Sequence, residues 1–123
     1  MAKLTGVAPI LLVKDILATA EYFREKVGFE VDLYNEPPTF GIAERDSIRL
    51  MITQCAEPTP PHWKVVEKMW NAYFWVDNAD ELYKELIERG AIIDYTIYTT
   101  PWGTREFGIQ DLDDYDIAFG QVL

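Results

Sequence analysis

Acidic side chains on predicted strands are the first candidates for chemistry in this chain. Asp32 lies in a segment where polar and apolar residues alternate, and Glu106 and Asp116 lie in two later predicted strands; all three are candidates for the mixed face of a sheet, which lines a cup. A pair of carboxylates can perform acid–base catalysis, although acidic residues on such a face more commonly meet solvent. A third interpretation is that carboxylates lining an aromatic cup hold a cation without any bond being broken.

Large aromatic residues favour this third interpretation. The rings concerned are Trp63, Trp70, Tyr73, Trp75 and Trp102. Rings flanked by carboxylates suit flat, cationic, partly apolar ligands, through stacking and cation–π contacts of about 0.5–2 kcal/mol each. The alternative is that the tryptophans fill the core or a dimer interface.

The strand predicted to begin at Trp70 has two different faces. Trp70, Ala72, Phe74 and Val76 alternate along it with Asn71, Tyr73 and Trp75. We expect the Phe74 face to pack against a helix. Tyr73 and Trp75 then lie on the opposite face, where a ligand can reach them.

Other catalytic chemistry has little support in the sequence. The one histidine, His62, lies in a Pro-rich segment, and the nearest downstream carboxylate, Glu67, is five residues away. The single cysteine, Cys55, has no second thiol and no neighbouring base, which favours an ordinary structural thiol. We therefore predict no catalytic residue, no metal site and no cofactor.

The elements that position these residues are repeated once along the chain. Val13 and Val76 are 63 residues apart, and Gly28 and Gly90 are 62 apart. An amphipathic helix lies between Val13 and Gly28, and another lies between Val76 and Gly90. Each repeat reads as a strand, a helix and three further strands. The sequence predicts a single α+β domain of two βαβββ modules, at about 6–54 and 70–122, joined by a Pro-rich loop at 55–69.

Within the modules, capping residues and glycines mark the helix boundaries. The first helix is expected from Asp15 to about Lys26, and the second from Asn78 or Asp80 to Arg89. A short helix is expected near 65–68. Strands are expected at about 7–13, 29–34, 40–42, 48–52, 70–76, 91–98, 105–110 and 115–121.

Composition excludes several classes of partner. The formal net charge of −10 and a pI near 4.4 oppose binding to nucleic acid, whose phosphates are met by clustered lysine and arginine. No run approaches the roughly 20 apolar residues that a membrane span needs, and no signal sequence is recognised. A cytoplasmic location is expected.

Several motifs together resemble a known family. They are Ala20-Glu21-Tyr22-Phe23, Gly28-Phe29, Asp80-Glu81-Leu82-Tyr83 and, most specifically, Pro101-Trp102-Gly103-Thr104-Arg105-Glu106-Phe107. The chain resembles the vicinal-oxygen-chelate superfamily of glyoxalases, extradiol dioxygenases and antibiotic-resistance proteins, and is most similar to the bleomycin-resistance proteins. The resemblance implies two βαβββ modules whose curved sheets form a cup.

The resemblance also implies an assembly and a set of site positions. Pro9 marks an N-terminal arm exchanged between the subunits of a homodimer, and Trp102 borders the drug groove. The positions that bind metal in related enzymes correspond to about Ala8, Met51, Asn71 and Ala118, none of which is a good ligand. Met51 and Asn71 nevertheless join the predicted ligand-binding residues.

The function predicted from these features is metal-independent binding and sequestration of a hydrophobic, cationic small molecule, such as a bleomycin-type antibiotic. The alternative is an enzyme of the same superfamily, a lyase, isomerase or oxygenase acting on a small metabolite. A third possibility is a dimeric protein that binds a housekeeping metabolite. The predicted ligand-binding residues are Asp32, Met51, Trp63, Asn71, Tyr73, Trp75, Trp102, Glu106 and Asp116.

Overall fold

The computed structural model describes residues 1–123 as two βαβββ units in one chain. The first module comprises β1 (Ile10–Val13), α1 (Ile16–Lys26), β2 (Glu30–Tyr34), β3 (Phe40–Arg45) and β4 (Ile48–Gln54). The second comprises β5 (Ala72–Trp75), α2 (Ala79–Arg89), β6 (Ile92–Thr99), β7 (Thr104–Gln110) and β8 (Asp116–Val122). A single 3₁₀ turn, His62–Lys64, interrupts the connecting segment.

Both helices begin and end as their sequences predict. Asp15 caps α1 by accepting a hydrogen bond from the backbone N–H of Ala18, and Asn78 caps α2 by accepting one from Glu81. Gly90 ends α2 in the left-handed conformation, at φ 87°, which costs glycine no steric strain. Neither helix is long and apolar enough to cross a membrane.

Each module forms a four-stranded mixed sheet with the same topology. The strand orders are β1-β4-β3-β2 and β5-β8-β7-β6, with the first pair of each sheet parallel and the others antiparallel. Asp46 and Ser47 connect β3 to β4 with positive φ at both residues, as a tight two-residue hairpin requires. The repeated order gives the two halves equivalent positions for their strands.

One hydrophobic core joins the two modules. It includes Phe23 and Leu50 from the first module together with Leu86 and Phe107 from the second. At its edge, Arg45 makes a bidentate ion pair with Glu85, with nitrogen–oxygen distances of 2.7 and 2.8 Å.

The connection between the modules differs from the expectation. The helical turn lies at 62–64 instead of 65–68, and β5 begins at Ala72 instead of Trp70. Because Trp70 precedes the strand, the strict alternation does not apply to it, and its ring packs 4.9 Å from that of Tyr73. Trp70 therefore lies on the same side of the sheet as Tyr73, whereas the sequence prediction placed it on the side of Phe74.

Candidate functional site

A cavity of about 850 Å³ lies on the face of the second sheet that is turned away from α2. Its wall and floor comprise Trp63, Glu67, Lys68, Trp70, Asp94, Tyr95, Thr96, Tyr98, Trp102, Glu106, Gln110 and Asp116. The sheet contributes the floor, whereas the connecting segment and the β6–β7 turn contribute all three tryptophans. This volume falls in the range of small-molecule sites.

Glu106 forms the floor of the cavity and is only 1% exposed. Its Oε1 accepts a hydrogen bond from the Tyr73 hydroxyl at 2.7 Å and a longer one from Thr104 at 3.3 Å, and its Oε2 accepts one from Tyr95 at 2.7 Å. No lysine or arginine is paired with it. A buried carboxylate is thus held in place by hydroxyl groups from three strands.

Two glycines make this arrangement possible. A Cβ at Gly108 would lie 2.3 Å from the ring of Tyr95, and a Cβ at Gly120 would lie 1.8 Å from the hydroxyl oxygen of Tyr73. Glycine within a strand commonly marks such a close approach. The two phenol rings can cross the sheet to Glu106 because these positions carry no side chain.

The phenols bonded to Glu106 resist ionisation. Burial, reinforced by the hydrogen bond and the negative charge of Glu106, raises the pKa of Tyr73 to about 12 and raises the pKa of Tyr95 further. Both hydroxyls therefore remain protonated donors at neutral pH. Tyr95 in turn accepts a hydrogen bond from Trp70 Nε1 at 3.2 Å, which extends the network to the aromatic wall.

The remaining aromatic wall is fixed at both ends of the cavity. Trp63 Nε1 donates a hydrogen bond to the backbone carbonyl of Asp114 at 2.7 Å, which ties the connecting segment to the β7–β8 turn. Trp102 lies in the β6–β7 turn, where Gly103 has φ 94° and Thr100 Oγ1 accepts from the Thr104 N–H at 3.0 Å. The Trp102 ring remains largely exposed at the mouth of the cavity.

The structure brings some of the predicted site residues together and separates others. Trp63, Trp102, Glu106 and Asp116 line the cavity, and Tyr73 hydrogen-bonds its floor. Asn71 supports the connecting segment, because its Oδ1 accepts a hydrogen bond from the His62 N–H at 3.0 Å.

Three predicted residues lie elsewhere in the chain. Trp75 is 70% exposed and lines a separate cleft of about 490 Å³ between the β3–β4 turn and α2. Asp32 and Met51 lie on the outward face of the first sheet, where both are register partners of Ile42. Within one chain, the first sheet therefore contributes no residue to the aromatic cavity.

Sequence reasoning missed several residues of the cavity. Asp94, Tyr95 and Tyr98 lie on β6, where two irregularities in the pairing with β7 shift the alternation of side chains. Gly108 and Gly120 were detectable, since each is a glycine inside a predicted strand, directly after an apolar residue. The bulges leave no comparable signal in the sequence.

The residues at the family's metal positions do not fit a metal centre here. Ala118 has no donor atom, Met51 offers only a thioether, and the amide oxygen of Asn71 is engaged by His62. No group of three or more histidine, cysteine, aspartate or glutamate side chains is placed to hold a metal ion.

The fold and the cavity define a class of protein: two tandem βαβββ modules with an aromatic cavity on the sheet of the second module. The model of the Glyoxalase/Bleomycin resistance protein/Dioxygenase superfamily matches residues 5–119, and the chain belongs to that superfamily. A sequence comparison with curated proteins finds no match.

Solved structures share the fold over essentially the whole chain. A bleomycin-binding protein from Streptomyces verticillus, in complex with copper(II)-bleomycin, is 26% identical, with a TM-score of 0.74 and 97% of each chain covered. A glyoxalase-related enzyme from Clostridium phytofermentans is 20% identical, with a TM-score of 0.79 and 99% and 98% coverage. TnmS3, an antibiotic-binding protein from Streptomyces sp. CB03234, is 20% identical, with a TM-score of 0.74 and 100% and 99% coverage.

Proposed function

We propose that this protein binds and sequesters a flat, partly apolar, cationic small molecule in the aromatic cavity, without a metal ion. The observation that carries the proposal is the cavity itself, in which the rings of Trp63, Trp70, Tyr98 and Trp102 surround a floor containing carboxylates. Such rings offer flat surfaces for stacking, and their faces attract cations.

The charge of the cavity supports a cationic ligand. Four of its residues are acidic, namely Glu67, Asp94, Glu106 and Asp116, whereas Lys68 is the one basic residue. None of the four carboxylates belongs to an ion pair within the chain. A ligand cation would supply the opposite charge that the protein does not.

The relative from Streptomyces verticillus supports an antibiotic as the ligand, since it binds copper(II)-bleomycin and is 26% identical over 97% of this chain. Capture would protect a cell by lowering the free concentration of the drug, with no bond broken.

We further propose a homodimer with exchanged N-terminal arms. Leu4 and Val7 in the arm are almost fully exposed, and Pro9, which lacks a donor, precedes the edge strand β1. On the first sheet, Ile10, Met51 and Ile42 form an apolar row that ends at Asp32, in which Ile10 is exposed and the other two are partly exposed. A two-fold partner covering this row would bring Asp32 and Met51 towards a groove between subunits.

Titration of the intrinsic tryptophan fluorescence with bleomycin, checked by calorimetry, tests the binding proposal. Saturable binding at micromolar concentration or tighter, about −8 kcal/mol, supports it. Trp102→Ala should weaken binding at least tenfold, and Trp75→Ala should not, because Trp75 lines the other cleft. The reverse result would move the site to that cleft.

Two further measurements test the remaining claims. Elemental analysis of the purified protein should find no stoichiometric transition metal, and finding one would favour the alternative that the protein is an enzyme. Sedimentation of a variant lacking residues 1–7 should show a weakened dimer. A full-length protein that sediments as a monomer would contradict the exchanged-arm dimer.

A further inference from the structure

A β-bulge places an extra carboxylate in the cavity. Ile93 pairs with Ile109 and Tyr95 pairs with Gly108, so Asp94 is an additional residue without a partner of its own on β7. Asp94 and Tyr95 consequently both line the cavity, although they are adjacent in the sequence. In a regular strand, neighbouring side chains would point to opposite faces.

The side chain of Asp116 lies close to that of Asp94, although β7 runs between their two strands. Asp116 begins β8, is only 6% exposed, and its Oδ1 accepts a hydrogen bond from Gln110 Nε2 at 2.9 Å. The Asp94 and Asp116 side chains also lie within hydrogen-bonding distance of each other, and Gln110 is the one other side chain that donates to either of them. Partial loss of solvent at Asp94 and burial at Asp116 are the largest causes that raise the pKa of the two groups, and the charge of Asp94 and its hydrogen bond raise the pKa of Asp116 further.

Glu106 is placed differently from this pair. Both of its oxygens already accept hydrogen bonds from hydroxyl groups, and these bonds hold Tyr73 and Tyr95 in place. Because Glu106 is only 1% exposed, these phenols leave a ligand cation little access to its oxygens. Asp94 and Asp116, by contrast, line the cavity as a close pair of carboxyl groups, and no phenol and no cation of the protein is bonded to either of them.

We infer that Asp94 and Asp116 form the subsite for the ligand's nitrogen cation, and that Glu106 is a positioning residue for the aromatic wall. This inference rests on the proposed function and specifies which group of the ligand lies where. An amidinium or guanidinium suits the subsite best, because its planar set of N–H donors can span two carboxylates. The flat apolar part of the ligand then lies against Tyr98 and Trp102.

A matched pair of ligands tests the subsite: 2-naphthamidine, which is cationic, and 2-naphthamide, its neutral isostere. The wild-type protein should bind the amidine at least tenfold more tightly than the amide. Asp94→Asn and Asp116→Asn should each reduce amidine affinity about tenfold and leave amide affinity within twofold. Glu88→Gln, which removes one exposed charge on α2 outside the cavity, is the control and should change neither.

Glu106→Gln separates positioning from direct recognition. It should weaken the amidine and the amide by the same factor, because the aromatic wall serves both ligands. A selective loss of amidine binding in Glu106→Gln, or an unchanged amidine-to-amide ratio in Asp94→Asn, would overturn the inference. Asp94 is exposed, so its variant stays informative even if Asp116→Asn folds poorly.

The pH profile provides a further readout. The ionised pair binds the cation, so amidine selectivity should fall as the pH is lowered through the raised pKa values of Asp94 and Asp116, and Asp94→Asn should flatten that fall. The other charged groups facing the pair are Glu67 and Lys68 of the connecting segment, Glu106 on β7 and Asp114 in the β7–β8 turn.

If the wild type binds neither probe nor bleomycin, the proposed function fails and the subsite with it. If it binds both probes without selectivity, only the subsite fails.

Discussion

Tyr73 and Glu106 are joined by a 2.7 Å hydrogen bond although a whole strand separates them. Tyr73 lies on β5, Glu106 lies on β7, and β8 runs between the two. Gly120, the register partner of Glu106 on β8, leaves the space through which the phenol passes. The floor of the cavity therefore depends on the absence of a side chain at a third residue.

Gly120→Ala should disrupt this contact. The new Cβ would lie 1.8 Å from the Tyr73 hydroxyl oxygen, so the ring must move and the hydrogen bond must break. We expect a loss of about 1–3 kcal/mol in the free energy of unfolding, measured by urea denaturation. Gly6→Ala is the control, since nothing lies within 4 Å of a Cβ at that position. Equal stability of the two variants would contradict the prediction.

Glu106→Gln should make Tyr73 easier to ionise. Burial, the largest cause of its raised pKa of about 12, remains in the variant, whereas the hydrogen bond to a carboxylate and its negative charge are lost. We expect the pKa to fall part of the way towards the ordinary value of 10, followed by ultraviolet absorbance of tyrosinate. Tyr95→Phe identifies which transition belongs to Tyr73. An unchanged pKa of Tyr73 in Glu106→Gln would show that Glu106 does not influence the ionisation of Tyr73.

Asp111 should make the protein less stable as the pH rises. Its Oδ1 accepts two backbone N–H groups, but its Oδ2 is buried without a partner, and burial raises the pKa of the carboxyl from 3.8 to about 7. Between pH 3.8 and about 7, the carboxyl of Asp111 is protonated in the folded state and ionised in the unfolded state. The contribution of Asp111 to the free energy of unfolding therefore declines as the pH rises and is lost above about pH 7. The slope approaches about 1.4 kcal/mol per pH unit where the difference is one proton.

Denaturant unfolding of the wild type and Asp111→Asn between pH 5 and 8 measures this contribution. Asp94 and Asp116 titrate with the same sign, so the difference between the two proteins isolates Asp111. We expect the variant to show the flatter profile. Parallel profiles would show that Asp111 is already ionised in the folded state.

Glu85→Gln should weaken the contact between the modules. Hydrogen bonds from Arg45 are the largest cause of the lowered pKa of Glu85, and the pair links the β3–β4 turn to α2. Both side chains are partly exposed, so we expect a loss of about 1 kcal/mol at neutral pH. The loss should vanish at low pH, where the wild-type carboxyl also becomes protonated.

The exposed pair Arg49–Glu44 provides the control for this ion pair. Its nitrogen–oxygen distance is also 2.7 Å, but it lies within one sheet and its side chains are more exposed. Glu44→Gln should cost no more than a few tenths of a kcal/mol. Equal losses of stability in Glu85→Gln and Glu44→Gln would show that the location of Glu85 between the modules adds no stabilisation.

Local features of the fold could be predicted from sequence. Apolar periodicity predicted both modules, and side-chain chemistry predicted the caps at Asp15 and Asn78 and the left-handed Gly90. Errors arose at the connecting segment, where Pro-rich composition gives no periodicity. Trp70 was misplaced there because alternation applies only within a strand, and β5 begins two residues later.

The sequence by itself determined two βαβββ modules, their helix boundaries and a chain rich in carboxylates and aromatic rings, because these follow from local periodicity and composition. Only the tertiary structure decided which of those side chains meet. The bulge at Asp94 and the passage of Tyr73 over Gly120 depend on strand register and on distances between residues far apart in sequence. Such contacts are fixed when the strands pair, so no local pattern around Asp94, Glu106 or Asp116 encodes them.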